Sequence, residues 1–162
     1  MFVQSTVIRY GDHVDTDVII PARYLNTTDH AELASHCMED LDSAFKQKCE
    51  KSHLISAGRN FGCGSSREQA PEIIKALGIQ CVIAKSFARI FFRNSINNGL
   101  LLIEQPTLYD DIKEGDTVSV VMNEHIDYNG KEYPIASLPE NLMDIIRAGG
   151  LVKAMRKLNG LD

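Results

Sequence analysis

The stretch from Gly58 to Pro71, GRNFGCGSSREQAP, gathers glycines at 58, 62 and 64, adjacent serines Ser65 and Ser66, and Arg67. It follows an apolar run, HLISA, and precedes a helical one, APEIIKALG. A connecting turn needs one or two such residues, and this loop has a surplus. Gly62 and Gly64 permit positive φ and a close approach of backbone to a ligand. Successive N–H groups ahead of a helix form a concavity for an anion. Arg67 adds a planar, permanently charged fork that matches a carboxylate or a phosphate. The chemistry predicted is anion binding.

Nucleotide signatures do not fit. A phosphate-binding loop ends in Gly-Lys-Ser/Thr, which the chain lacks. The dinucleotide pattern fails because Arg67 stands where its third glycine belongs. A carboxylate held by Arg67 and the serines fits better. The serines have two readings. SSRE matches a capping box in which Ser65 caps the following helix and Glu68 closes the box, worth about 1 kcal/mol. Alternatively, Ser65 is a base, which requires its alkoxide to be stabilised by N–H groups, a helix N-terminus and cations. No His or Lys adjoins the loop, so a base at Ser65 implies help from outside the chain.

The elements that must position this loop are legible in the hydrophobic pattern. Strands are predicted at Val3–Arg9, HLISA, CVIAK and LLLIE. Helices are predicted in HAELASHCM, with Asp29 and Glu32 at its start, at Leu41–Cys49, and in APEIIKALG, with Pro71 in its first turn and Gly78 at its end. A further helix is predicted in SFARIFFRNSINNG with Ser86 as N-cap. Strand–helix alternation of this kind builds a parallel sheet. Beyond Pro106 the pattern changes: TVSVVM alternates, and Asn129-Gly130 predicts a type I′ hairpin. Two short helices separated by Gly149 and Gly150 close the chain. The prediction is one α/β domain with a mixed parallel and antiparallel sheet flanked by helices.

The chain has 162 residues, 44% hydrophobic and 24% charged, which suits one domain with one core. A net charge of −5 without a dense basic run argues against a nucleic-acid surface. Its apolar runs fall far short of the roughly 20 residues of a membrane helix. The start, MFVQSTVIRYG, lacks the basic-then-apolar order of a signal peptide, and a cytoplasmic protein is expected. Cys37, Cys49, Cys63 and Cys81 contain no C-x-x-C pair, so no metal or iron–sulfur site is expected on this chain alone. GDHVDTD fails the calcium-loop spacing, leaving a solvated turn for Asp12 and Asp15. Phe91 and Phe92 read as core, and Arg89 and Arg93, one turn apart, as an exposed or partner-facing edge.

The segment from GRNFGCGSSRE through AKSFARIFFRN to LLLIE closely resembles the swivel domain, or small subunit, of the aconitase superfamily. The start YGDHVDTDVIIPARYL extends the resemblance over nearly the whole chain. Its length points to the branch whose swivel domain is a separate chain, the isopropylmalate dehydratases. The resemblance implies an aconitase-type β/β/α swivel fold over residues 1–162. It also implies a separate large subunit carrying a [4Fe-4S] cluster, in a heterodimer or heterotetramer, and a hydroxy-dicarboxylate substrate. The isolated chain is expected to be able to self-associate. By the same resemblance Ser65 matches the residue that takes a proton from carbon, Ser66 and Arg67 hold a substrate carboxylate, and Asp17 lies at the edge of the site. Gln69 stands where many relatives have His, a supporting position. RYLNTT resembles the specificity loop, so Asn26 and Thr27 are expected to face the variable substituent. Lacking a cation there, the chain should disfavour a third carboxylate. A dimethylmalate or homoaconitate dehydratase, and a non-catalytic anion-binding module, remain the alternatives.

Overall fold

Three short runs that are apolar at nearly every position, at 54–57, 81–84 and 101–104, become neighbouring strands buried on both faces. The computed structural model describes residues 2–160. The strands are β1 (Phe2–Arg9), β2 (Leu54–Ala57), β3 (Cys81–Ala84), β4 (Leu101–Glu104), β5 (Thr117–Val121), β6 (His125–Tyr128) and β7 (Lys131–Pro134). The helices are α1 (Thr16–Ile19), α2 (His30–Ser35), α3 (Phe45–Lys48), α4 (Gln69–Ala76), α5 (Arg89–Asn97), α6 (Leu108–Asp111), α7 (Glu140–Ala148) and α8 (Leu151–Leu158). They surround one mixed sheet in the order β4-β3-β2-β1-β5-β6-β7. β1 to β4 run parallel, and β5, β6 and β7 continue antiparallel from the other side of β1.

Alternation along the parallel strands explains why their runs are continuous. Ile8, Ile55, Val82 and Leu102 enter one core with residues of α2 and α4 and Phe91 of α5. Val7, Leu54, Cys81, Ile83 and Leu101 enter a second core on the opposite face, with α7 and the antiparallel strands. β5 alternates buried with more exposed positions, as a strand with one wetter face should. The Asn129-Gly130 turn has φ of 51° and 81°, the positive pair a type I′ hairpin requires.

Three local expectations change. The helix expected over Leu41–Cys49 shrinks to Phe45–Lys48. Met38, buried with a φ of 61°, turns the chain, and Asp42 turns its carboxylate inward to accept from the Ala44 N–H, Tyr10 and Lys48. Ser86 does not cap α5, whose N-cap is Ala88; its Oγ accepts from the Asn60 N–H at 2.8 Å. The capping box at Ser65 and Glu68 does not form either. α4 begins only at Gln69, with Glu68 at the cap and no side-chain bond there.

Candidate active site

The loops after β1, β2 and β3 leave the same end of neighbouring parallel strands, where ligands of open α/β sheets sit. They are laced together before they reach the site. His13 N–H donates to Arg59 O at 2.7 Å, Gly62 N–H to Val14 O at 2.8 Å and Thr16 N–H to Cys63 O at 2.8 Å. Across the other flank, Phe61 N–H donates to Ser86 O at 3.1 Å and Ala88 N–H to Phe61 O at 3.0 Å. Asp12 is exposed at a bend and Asp15 is partly buried, and both also bind the loops. Asp12 accepts from the Arg59 N–H at 2.7 Å, and Asp15 caps α1 by accepting from the Asp17 N–H at 2.7 Å.

The glycines are fixed by what lies against them. Gly62 has φ +83° and faces Phe91, whose ring would meet an added Cβ at 2.1 Å. Gly64 has φ +90°, and an added Cβ would meet an Asp15 carboxylate oxygen at 2.4 Å. The close approach is therefore to the protein's own side chains. Phe91 is held in turn by Phe61, their rings 5.5 Å apart and edge-on.

DTD, residues 15–17, grips the serine loop one residue after another. Asp15 lies beside Gly64, and Thr16, buried, donates its hydroxyl to Ser65 O at 2.6 Å. Asp17 pairs with Arg67, Nη2 to Oδ1 at 2.6 Å. Arg67 also donates through Nη1 to Ile20 O at 2.8 Å, and its side chain is only 16% exposed. The Ser65 and Ser66 side chains are exposed, and among the described residues neither hydroxyl has a hydrogen-bond partner.

These groups open onto a pocket of about 250 Å³ whose far wall is the first turns of α5. Thr16, Gly62, Gly64, Ser65, Ser66 and Arg67 form one side, and Ala88, Arg89, Ile90, Phe91 and Asn94 the other. No His, Lys or carboxylate lines it, and its hydroxyls are the lining groups that can be made basic. A smaller apolar pocket of about 110 Å³ beside β4 has no comparable set of convergent polar groups.

Residues 12–108 match the aconitase C-terminal domain family. The chain is 62% identical over 152 residues to the 3-isopropylmalate dehydratase small subunit of Lachnospira eligens, covering 94% of this chain and 93% of that one. It belongs to this family of small subunits. A second member, from Caldanaerobacter subterraneus subsp. tengcongensis, is 54% identical over 96% of this chain and 98% of its own. The crystal structure of 3-isopropylmalate dehydratase from Methanocaldococcus jannaschii superposes with a TM-score of 0.90 at 48% identity, covering 98% of this chain and 96% of that one. The mixed sheet with flanking helices is thus the fold of an aconitase-family small subunit, a designation that implies a large-subunit partner.

Against that family, the predicted site residues separate into groups. Ser65, Ser66 and Arg67 share the pocket, and Asp17 reaches it through Arg67. Thr27 lies in an adjoining cleft with Leu25, Leu33, Glu68, Gln69 and Glu72, and Ser66 lines both spaces. Asn26 is exposed and lines neither. Thr27 Oγ1 accepts from the Asp29 N–H at 3.1 Å, which fixes the loop ahead of α2. Sequence reasoning missed Thr16 and Asn94, and it read Arg89, which is exposed, as a solvent- or partner-facing residue without placing it in the pocket. The available signal was position: α5 begins directly after a third parallel strand, as the serine loop follows the second.

Cysteines here do not fit an iron–sulfur cluster. Cys37, Cys49 and Cys81 are buried, Cys63 lies in the loop, and among the described residues they form no common ligand set. Burial, followed by the nearby Asp15 carboxylate, pushes the Cys63 thiol upward, away from the thiolate. The metal-ligating grouping among the described residues is His125, Asp127 and Glu132 on the outer β6–β7 hairpin, with His125 Nε2 already 3.1 Å from Asp127.

Proposed function

We propose that this chain is one half of a two-chain hydro-lyase that interconverts 2-isopropylmalate and 3-isopropylmalate in leucine biosynthesis, in the cytoplasm. Residues 1–162 serve as its swivel domain. The observation that carries the reading is the pocket lined by free serine hydroxyls and two arginines with no conventional base present.

Ser65 Oγ is the proposed base. It takes a proton from the substrate carbon next to the one bearing the hydroxyl. The bond from carbon to that hydroxyl breaks, and the leaving hydroxide takes a proton from solvent or the partner subunit to depart as water. An unsaturated diacid remains, and water then adds back with the two positions exchanged. The guanidiniums and the uncapped first turn of α5 favour an alkoxide at Ser65. Thr16 holds the Ser65 backbone through a part-buried hydrogen bond, which fixes the point from which the Oγ projects. Ser66 and Arg67 bind a substrate carboxylate, with Asp17 orienting Arg67.

A large subunit is proposed to complete the site and to bring a [4Fe-4S] cluster, which supplies Lewis-acid chemistry at the leaving hydroxyl. The variable substituent enters the second cleft, beside Thr27 and the neighbouring Asn26. Leu25 and Leu33 give this otherwise polar cleft, which Thr28 and His30 also line, one apolar side for a branched alkyl group, and Glu68 and Glu72 oppose a third carboxylate.

The test is turnover of 2-isopropylmalate by this chain mixed anaerobically with a cluster-loaded large subunit. Activity that appears only with both chains supports the reading. A complex that forms and turns over dimethylmalate or homoaconitate instead overturns the substrate. An isolated chain that binds a dicarboxylate tightly and gains no activity with the partner contradicts the enzyme reading.

A further inference from the structure

The two guanidiniums of the pocket are in unequal states. Arg67 spends Nη2 on the Asp17 carboxylate and Nη1 on Ile20 O, so the Arg67–Asp17 pair presents little net charge to a ligand. Arg89 lines the same pocket, is exposed, and among the described residues has no hydrogen bond or ion pair. Its backbone is not free to wander. It is the first residue of α5, two positions before Phe91, which is buried against Gly62 and Phe61. The side chain is therefore exposed and uncommitted on a fixed base. Asn94, half-buried on the same wall, also has no partner for its side-chain amide among the described residues. α5 has no side-chain cap, so its first-turn N–H groups reinforce the same positive edge.

We infer that Arg89, assisted by Asn94, is a second carboxylate anchor contributed by this chain, beside Arg67 of the serine loop. The inference rests on the dicarboxylate reading above and deepens it. A dicarboxylate entering this pocket meets one uncompensated cation, and that cation is on α5. Arg67 contributes what donors Asp17 and Ile20 leave it. Specificity for a carboxylate at that end follows from the planar fork of an arginine, which an ammonium reproduces only as a point charge.

The experiment compares wild type, Arg89→Ala, Arg89→Lys and Arg93→Ala, each assembled with the cluster-loaded large subunit. It measures kcat and KM for 2-isopropylmalate and, separately, complex formation by sedimentation. The loss of one charged hydrogen-bonding group predicts a KM increase of about tenfold to a hundredfold for Arg89→Ala, with complex formation unchanged. Arg89→Lys should recover part of it. Arg93, one turn further along and outside the pocket wall, should change KM by less than about twofold. Inhibition constants of a dicarboxylate and a matched monocarboxylate should converge in Arg89→Ala. An unchanged KM in an assembled Arg89→Ala complex overturns the inference while leaving the dehydratase reading intact. So does loss of assembly with a normal KM in the assembled fraction, which makes Arg89 a docking residue. A wild-type complex that forms and turns over no hydroxy-dicarboxylate overturns both.

Discussion

The two halves of the sheet use glycine and aspartate for different ends. In the parallel half, β1 to β4, positive-φ glycines sit under other side chains, and aspartates tie loops that lie more than forty residues apart in sequence. In the antiparallel half, β5 to β7, Gly130 turns a hairpin in open space, and Asp116 closes a local contact with Tyr128 at 2.6 Å. Equal local geometry thus carries unequal consequences. Where loops must be held around a pocket, the same residue types are packed from both sides. Where a hairpin only has to turn, they are free.

The largest effect expected from this contrast is at glycine. Gly62→Ala imposes positive φ on an alanine and forces its Cβ into the Phe91 ring, for a predicted loss of about 3 kcal/mol or more. Gly130→Ala has the same sign of φ, +81°, with no atom near its Cβ, and should lose only about 1 kcal/mol. Urea unfolding of the two variants measures the difference directly. Equal losses would erase the contrast.

Acid should separate the halves next. Burial works against ionisation of Asp42, yet hydrogen bonds from Lys48, Tyr10 and the Ala44 N–H outweigh it and leave its carboxyl below the usual range. A lowered folded pKa means its stabilisation is complete above the unfolded value of about 4 and fades as pH falls through the folded one. Asp42→Asn should therefore cost about 2 kcal/mol at pH 7, and wild type and variant should converge under acid. Asp116 is also lowered, first by its bond from Tyr128, but its donors are the neutral Tyr128 hydroxyl and Lys113 N–H rather than an ammonium, and Asp116→Asn should move the pH 7 midpoint less. Guanidinium titrations at pH 7 and pH 3 check both.

The smallest effect on stability should carry a large effect on rate. Thr16→Val keeps the buried shape and removes the bond to Ser65 O, at about 1 kcal/mol. Because that bond fixes the point from which the proposed base projects, kcat of the assembled enzyme should fall about tenfold with KM little changed. A kcat equal to wild type would show that Ser65 needs no such support.

The sheet was largely legible in the sequence because its signals are local. Continuous apolar runs gave the buried strands, and Asn129-Gly130 gave the hairpin. The serine loop was legible through its surplus of unusual residues. What was not legible depends on partners distant in sequence. SSRE has the spacing of a capping box, but Thr16 and Asp17 hold Ser65 and Arg67 in place and α4 starts later. Ser86 has the composition of an N-cap, but a backbone N–H from the neighbouring loop claims its hydroxyl. Arg89 reads as an exposed or partner-facing residue because nothing in ARIFF records that Phe91, packed against Gly62 and Phe61, sets the first turn of α5 beside the serine loop. In each case a long-range hydrogen bond or ring contact decides between local readings of equal merit.

The most direct test of the central claim is single-turnover release of deuterium from the reacting carbon of 2-isopropylmalate, by complexes carrying wild-type chain, Ser65→Ala and Ser66→Ala. With Ser65 as the base, Ser65→Ala should bind substrate and lose label about 10²- to 10⁴-fold more slowly, while Ser66→Ala mainly weakens binding. Label release at the wild-type rate from an assembled Ser65→Ala complex would contradict the account.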